Sequence, residues 1–327
     1  MNERLKINYE WREDLTKDEW DNLLSRLNGH PLQSAKWGDA RKQSCQINYH
    51  RWVALKNGEP VFLVRFEERL FFNFFKIAWV PKGPISFEEN NSLIQKQFFK
   101  KLKKKGFFIC ATNPWNEIKL VKKPSLLFYT VWIDLQIGKE KLWMNLKKQC
   151  RNDIKRSKKL GVIIEESNSL ADLNSFYKIC ESISKSKKFS FGNSFKIMSY
   201  LLSNVNNNDA VKSYLFISRY ENEICGGAFI MACGESIHYI SGAVDRRFSH
   251  LCIGEALQWV IIEWALNNNY KKYDLEGISS KQDSGVDKFK KKFGGYVVAY
   301  PGIQFYPLRL DCHIVSFLGP TLRYLSE

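Results

Sequence analysis

Apolar residues recur at helical intervals near the start of the chain and then alternate as in strands. From Thr16 to Leu27 the apolar positions fall three and four residues apart, and Glu19 lies three residues after Thr16, which is a capping-box signal. From Arg51 to Leu70, two apolar runs flank Asn57-Gly58, a dipeptide typical of tight hairpin turns. The pattern predicts a capped amphipathic helix followed by a β-hairpin.

The following segments continue this mixed pattern. KIAWVPKGPI predicts a strand that stops at proline and glycine, and Asn91–Lys105 predicts a helix closed by Gly106. FFICAT then predicts another strand. We therefore expect a first α/β domain over residues 1–138.

The second half repeats this order of elements. Leu142–Leu160 predicts one long basic helix, GVIIEES a strand and Ala171–Lys185 a helix. A three-stranded meander follows, with turns at Glu221-Asn222 and Gly234-Glu235, and then an apolar helix over Gly254–Asn267 and the strand KYDLEGI. The recurrence predicts a duplicated α/β unit, with the second domain over residues 139–301 and the tail 302–327 packing back onto the first.

Charge suggests the kind of partner. The 327 residues include 50 Lys and Arg against 34 Asp and Glu, a net charge of +16. Such a surplus favours RNA, phosphorylated substrates or an anionic membrane face, although a merely soluble basic protein is an equal alternative.

Cysteine and histidine patterns indicate neither disulfides nor a metal. The eight cysteines are scattered without a CxxC pair, and the five histidines fit no ligand motif. The amino-terminal segment has no apolar signal core, and the apolar runs are too short to span a bilayer. We expect a cytoplasmic protein without a metal or cofactor, with peripheral contact at the cytoplasmic membrane left open.

Few motifs carry chemistry. The sequence shows no Ser-His-Asp or Cys-His catalytic motif, and it contains no phosphate-binding loop of the GxxxxGK[ST] type. A covalent nucleophile is therefore not expected. The basic helix offers Arg151 and Arg156 either to a phosphate backbone or simply to solvent. Tyr239, on the strand HYISGAVD, either packs in the core or lines a cleft.

The segment DSGVDKFKKKFGG combines aromatic anchors with lysines. Val286, Phe289 and Phe293 recur at helical spacing and predict a short anchored helix. Lys290 directly follows Phe289, and a lysine held beside an aromatic anchor can meet an oxyanion in a partly dry cleft. A solvated basic turn is an equal alternative.

Several motifs occur together in an order that resembles a known family. LQSAKWGDARKQ, WVPKGPI, NLKKQCRNDIKRSKKLGV, GGAFI, HYISGAVD, ALQWVIIEWALNNNYKKYDLEGI and GVDKFKKKFGG run through nearly the whole chain. The chain resembles the Fem family of peptidoglycan-bridge aminoacyltransferases, in the compact form without a coiled-coil insertion. The resemblance implies two GNAT-like domains, of the acyl-CoA N-acyltransferase fold, each a mixed, mostly antiparallel sheet flanked by helices.

The resemblance also implies an activity and a set of residues. Such enzymes move an amino acid from aminoacyl-tRNA to an amine of a UDP-linked or lipid-linked peptidoglycan precursor, without a metal or covalent intermediate. Lys290 after Phe289 would lie beside the reacting ester, and Tyr239 would line the substrate channel. Arg41 or Lys42 would hold precursor phosphate. The acidic residue proposed as a base in some relatives has no match in the first domain.

The sequence leaves two other functions open. DNA is not an expected partner in any of the three. One is N-acylation of an amino sugar in surface polysaccharide synthesis with an acyl-CoA donor. Only Gly254 stands where a pyrophosphate loop would open a helix, which weakens that alternative. The other is a non-catalytic RNA- or membrane-binding protein, in which Lys290 would be replaceable.

Overall fold

The chain folds into two compact units. A computed structural model describes residues 9–71, 74–87, 92–115, 127–187, 194–279 and 284–309. The first unit takes in Met1–Leu24, Leu32–Leu126 and Pro301–Glu327, and the second takes in Ser25–Pro31 and Leu127–Tyr300. No helix among the described residues is both long and apolar enough to cross a membrane.

The first unit is built on a seven-stranded sheet. Its strands are β1 (Glu10–Arg12), β2 (Tyr49–Lys56), β3 (Glu59–Phe71), β4 (Phe75–Val80), β5 (Ile85–Ser86), β6 (Ile109–Thr112) and β14 (Gln304–Pro307). Its helices are α1 (Lys17–Arg26), α2 (Ala35–Cys45) and α3 (Ser92–Lys104). The strand order is β1-β2-β3-β4-β6-β14, with β5 beside β3, and only the β4–β6 pair is parallel among the described strands.

Local sequence signals explain these elements. The Thr16 N–H donates to Glu19 Oε2 (2.7 Å) and the Glu19 N–H to Thr16 Oγ1 (3.2 Å), so the predicted capping box starts α1. Lys56 pairs with Glu59 across the predicted Asn57-Gly58 turn. Helix α3 buries one face against the sheet, where an aromatic core forms around Phe98.

The second unit has its own seven-stranded sheet. Its strands are β7 (Leu127–Asp134), β8 (Ile163–Ser167), β9 (Val211–Tyr220), β10 (Glu223–Cys233), β11 (Ser236–Val244), β12 (Lys272–Ile278) and β13 (Tyr296–Pro301). Its helices are α4 (Lys139–Asn145), α5 (Lys148–Lys159), α6 (Leu170–Lys187), α7 (Phe195–Ser203), α8 (Ile253–Asn267) and α9 (Gly285–Lys290). The strand order is β13-β7-β12-β11-β10-β9-β8, and β11 and β12 run parallel.

The two units share one topology. In each, three antiparallel strands lead into a helix and then into a strand parallel to the third: β2-β3-β4-α3-β6 and β9-β10-β11-α8-β12. The prediction of two α/β units with mixed, mostly antiparallel sheets is confirmed.

The chain passes between the units earlier than residue 138. Strand β7 pairs with β12, and it therefore belongs to the second sheet. The chain later returns to the first sheet, because β14 pairs with β6. Residues 310–327 of the predicted tail lie outside the described residues.

The prediction of one long basic helix over Leu142–Leu160 is wrong. The chain leaves the helical conformation at Leu146 and Lys147, where ψ is 142° at both residues. Leu146 is buried there, and the Lys147 N–H donates to the carbonyl of Lys292 (2.9 Å). The break therefore depends on a contact with a distant turn, and no glycine or proline in the local sequence indicates it.

Candidate active site

The parallel strands β11 and β12 separate at one end of their pairing. Their register runs only from Ser236 opposite Lys272 to His238 opposite Asp274. Beyond it, β11 has a bulge between Tyr239 and Ser241 in its pairing with β10, and β12 has one between Asp274 and Gly277 in its pairing with β7. Bulges on neighbouring strands re-aim side chains and end pairing, so they open the sheet at this point.

Lys290 lies at this opening. Its Nζ donates to the Gly277 carbonyl at 2.7 Å and lies 5.9 Å from the centre of the Tyr239 ring. Lys290 is 7% exposed, whereas Lys288 on the same helix is exposed. The solvated basic turn therefore does not describe Lys290, whose charge is held in a largely dry setting.

Helix α9 is tied to the end of β12 by Asp287. Ser284 and Asp287 form a capping box, and Asp287 also accepts from the backbone N–H (2.9 Å) and the hydroxyl of Ser279. Burial raises the pKa of the Asp287 carboxyl, but the hydrogen bonds from Ser279 and Ser284 outweigh burial and lower it to about 2. The ionised carboxylate thus fixes the helix that carries Lys290.

Replacing Asp287 with asparagine is expected to destabilise the protein by about 1–3 kcal/mol at pH 7, because donors to a buried carboxylate lose their acceptor. Since folding lowers this pKa, the stabilisation is complete above the ordinary value of 3.8 and fades as pH falls towards 2. Urea unfolding at pH 7 and pH 3 measures the difference between the two proteins, which shrinks at pH 3. Asp18→Asn, in the exposed first turn of α1, is the control. A difference that is independent of pH would contradict this role.

The aromatic anchors fit the prediction in part. Phe293 is 1% exposed, and its ring lies 5.3 Å from that of Phe289 in a T-shaped pair. Gly254, at the start of α8, makes room for Phe289, because a Cβ there would lie 3.1 Å from its ring. Val286 is 48% exposed, so its predicted role as a third anchor is wrong.

Tyr239 lies within a hydrogen-bonded group of the second unit. Tyr273 donates to Gln258 Oε1 (2.7 Å), and the same Gln258 side chain interacts with Tyr239. Burial raises the pKa of Tyr239 well above that of an ordinary tyrosine, so its phenol stays protonated near neutral pH. Gly242 leaves space for this phenol, because a Cβ at Gly242 would lie 1.6 Å from the Tyr239 oxygen.

Arg41 and Lys42 have different surroundings in the first unit. Arg41 is 7% exposed, and its Nε lies 3.4 Å from Glu67 Oε1, in a buried cluster that also contains Arg65 and Arg69. Lys42 is exposed beside a polar depression that Asp39, Tyr49 and Arg51 also line. Of the two phosphate candidates, Lys42 is the one that solvent reaches.

Arg151 and Arg156 also differ. Arg151 Nη1 donates to the carbonyls of Met144 (2.9 Å) and Leu146 (2.5 Å), which end α4. Arg151 therefore stabilises a helix terminus, as cations at carboxyl-terminal ends do. Arg156 is exposed on α5.

One group of residues has no signal in the sequence. His30, His238 and Glu276 place their ligand-type atoms within 4.8 Å of one another. His30 lies far from the other two along the chain, so no spacing motif can reveal the group. HYISGAVD and KYDLEGI predict two strands of the second domain, but nothing in the sequence places His30 beside them.

Comparisons with known proteins point to one family. The FemAB family model matches residues 124–194 and 205–310, more than half of the chain, and the second range contains Tyr239, Phe289 and Lys290. Aminoacyltransferase FemA of Staphylococcus aureus is 32% identical over 93 residues. That match covers 27% of this chain and 22% of the relative, so it spans less than a quarter of FemA.

Solved structures share the fold at low identity. A crystal structure of FemX has a TM-score of 0.76 at 14% identity, covering 94% of this chain and 99% of that one. The C-terminal domain of a putative lysylphosphatidylglycerol synthetase from Agrobacterium fabrum has a TM-score of 0.56 at 11% identity, with 92% and 96% covered. A tandem GNAT protein from the clavulanic acid biosynthesis pathway has a TM-score of 0.54 at 9% identity, and the match covers 92% of this chain and 99% of that one. The expected GNAT-like fold is confirmed.

Proposed function

Because the chain belongs to the FemAB family, we propose that it is an aminoacyltransferase that moves an amino acid from aminoacyl-tRNA to an amine of a peptidoglycan precursor. The observation that carries the proposal is the buried Lys290, held between Gly277 and Tyr239 where β11 and β12 separate. It lies within the segment that matches the family.

The proposed reaction needs a fixed positive charge. The acceptor amine attacks the ester carbonyl, a C–N bond forms, and the C–O bond to the tRNA ribose breaks. The amine loses one proton, and the leaving ribose oxygen gains one. Negative charge develops on oxygen during the attack, and the Lys290 ammonium, oriented by the Gly277 carbonyl, would stabilise it without reorganisation.

Tyr239 would line the substrate channel beside Lys290. A side chain at Gly242 would displace the Tyr239 phenol. Gly242→Ala is expected to slow transfer about ten- to a hundredfold, because its Cβ forces the Tyr239 phenol to move. Steady-state kinetics measures the loss. Gly285→Ala is the control, since a Cβ there meets nothing within 4 Å. Equal rates in the two variants would remove Tyr239 from the substrate channel.

The exposed cations of α5 are proposed to contact the tRNA backbone. They are Lys148, Lys155, Arg156, Lys158 and Lys159. Replacing Lys155, Arg156 and Lys159 with glutamine is expected to weaken RNA binding. The slope of the logarithm of the binding constant against the logarithm of salt concentration is expected to become shallower by about 2–3. Binding titrations at several salt concentrations measure both quantities.

Matched substitutions on another basic helix control for net charge. Lys100, Lys103 and Lys104 are exposed on α3, and changing all three to glutamine removes the same charge. An equal loss of RNA affinity in the two triple variants would show non-specific attraction rather than a site on α5.

An assay of donor and acceptor tests the proposed function. The protein is incubated with charged tRNAs or acyl-CoAs, together with UDP-linked precursor, lipid-linked precursor or an amino sugar, and product masses are followed. We expect an amide product from a charged tRNA and a peptidoglycan precursor. Product formed only from an acyl-CoA and an amino sugar would replace the proposal with N-acylation in polysaccharide synthesis.

A further inference from the structure

We propose that His30, His238 and Glu276 form a binding site for one Zn²⁺ ion. The site goes beyond the proposed transfer reaction. His30 lies in the segment Ser25–Pro31, His238 on β11 and Glu276 on β12, and all three belong to the second unit.

Both imidazoles direct a nitrogen to the same point. His30 Nε2 lies 2.8 Å and His238 Nδ1 3.1 Å from the same Glu276 oxygen, Oε1. Ligand atoms around tetrahedral zinc lie about 2.0–2.2 Å from the ion and therefore about 3.3 Å from one another. A few tenths of an ångström of outward movement by the flexible Glu276 side chain would give its oxygen this spacing from both nitrogens, and the two nitrogens lie within 4.8 Å of each other.

The charges around the group favour a divalent cation. Asp274 is fully buried, and its Oδ2 lies 3.7 Å from His238 Nδ1, so two carboxylates border the imidazoles. The rings of His30 and His238 are only 4.4 Å apart, so two protonated imidazoles would repel each other. One Zn²⁺ bound by neutral imidazoles offsets both carboxylates without that repulsion.

The donor set and its burial favour zinc among the divalent ions. Two imidazoles and one carboxylate, with a further position for water or another oxygen, form a known zinc arrangement, whereas Mg²⁺ and Ca²⁺ take oxygen ligands. His30 and His238 are 0% and 1% exposed, and the Glu276 side chain is 16% exposed, which leaves access from its side. The Trp132 ring, 5.6 Å from that of His238, shields the group.

Occupancy would tie together parts of the chain that support the candidate active site. The ion would join the segment Ser25–Pro31 to β11 and β12. Glu276 directly precedes Gly277, whose carbonyl holds Lys290. A bound ion would therefore stabilise the backbone that positions Lys290, in addition to stabilising the second unit as a whole.

Metal analysis of the full-length protein tests the site. After dialysis against Zn²⁺ and then against buffer, inductively coupled plasma mass spectrometry is expected to find one equivalent of zinc per chain. The thermal unfolding midpoint is expected to be about 5 °C or more above that of EDTA-treated protein. His238→Gln and Glu276→Gln are expected to weaken binding by about a hundredfold or more. His50→Gln is the control, because His50 also contacts a carboxylate, that of Glu68 (3.3 Å), in the first unit.

Co²⁺ distinguishes this site from binding by the exposed thiol of Cys45. Four-coordinate Co²⁺ is expected to give visible absorption bands without the ultraviolet charge-transfer band of a thiolate. This readout uses the unsubstituted protein, so a variant that fails to fold does not remove the test. No stoichiometric metal, a thiolate spectrum or unchanged binding in both variants would overturn the proposal and leave a hydrogen-bonded carboxylate–imidazole network.

Discussion

Replacing Lys290 with alanine is expected to slow acyl transfer by on the order of a hundredfold or more, while folding and RNA binding stay nearly intact. The ammonium group is largely buried, and its Nζ is held 2.7 Å from the Gly277 carbonyl. In such a setting a fixed charge interacts with a developing oxyanion far more strongly than it would in water. Single-turnover kinetics with charged tRNA measures the loss.

Two controls separate catalysis from folding. Lys288→Ala removes the same charge from an exposed position on α9, and it is expected to leave the rate nearly unchanged. The thermal midpoint and RNA affinity of Lys290→Ala show whether the variant is intact. A rate equal to that of the unsubstituted protein would remove Lys290 from the mechanism.

Replacing Glu67 with glutamine is expected to destabilise the first unit by about 3–5 kcal/mol, because three guanidinium groups would lose their shared carboxylate. Glu67 Oε2 accepts from Arg69 at 2.7 Å, and Oε1 lies 3.4 Å from both Arg65 and Arg41. Burial raises the pKa of Glu67, but Arg65, Arg69 and Arg41 outweigh burial, and the pKa lies below its usual range.

The pH dependence follows from that direction. Because folding lowers the pKa of Glu67, its ionised carboxylate stabilises the first unit at neutral pH. This stabilisation is lost as pH falls below the ordinary carboxyl pKa of about 4.3. Urea unfolding at pH 7 compares Glu67→Gln with Glu68→Gln, whose side chain is 21% exposed and pairs with Lys76. Similar small losses in both variants would show that the buried cluster adds nothing to stability.

Short-range patterns predicted most of the elements. The Thr16–Glu19 capping box, the Asn57-Gly58 turn and the meander turns at Glu221-Asn222 and Gly234-Glu235 each depend on residues a few positions apart. The apolar periodicity of the helix from Gly254 to Asn267 is likewise visible in a short window. These features need no knowledge of distant contacts.

Features of the candidate site depend on contacts between distant residues, which the sequence does not display. The break between α4 and α5 is held by a bond from Lys147 to Lys292. The sequence leaves Arg41 and Lys42 as alternative phosphate ligands, and it does not show that Arg41 lies beside Glu67 in a buried ion cluster. The bulges of β11 and β12 and the meeting of His30 with Glu276 arise only when the sheet assembles.

The role of Lys290 can be tested with a crystal structure of the protein bound to an RNA that carries its amino acid through a stable amide. The amide keeps the carbonyl oxygen of the ester but does not transfer. We expect Lys290 Nζ to lie within about 2.7–3.1 Å of the position where that oxygen gains negative charge. An amino acid bound in the second unit with its carbonyl well out of reach of Lys290 would contradict it.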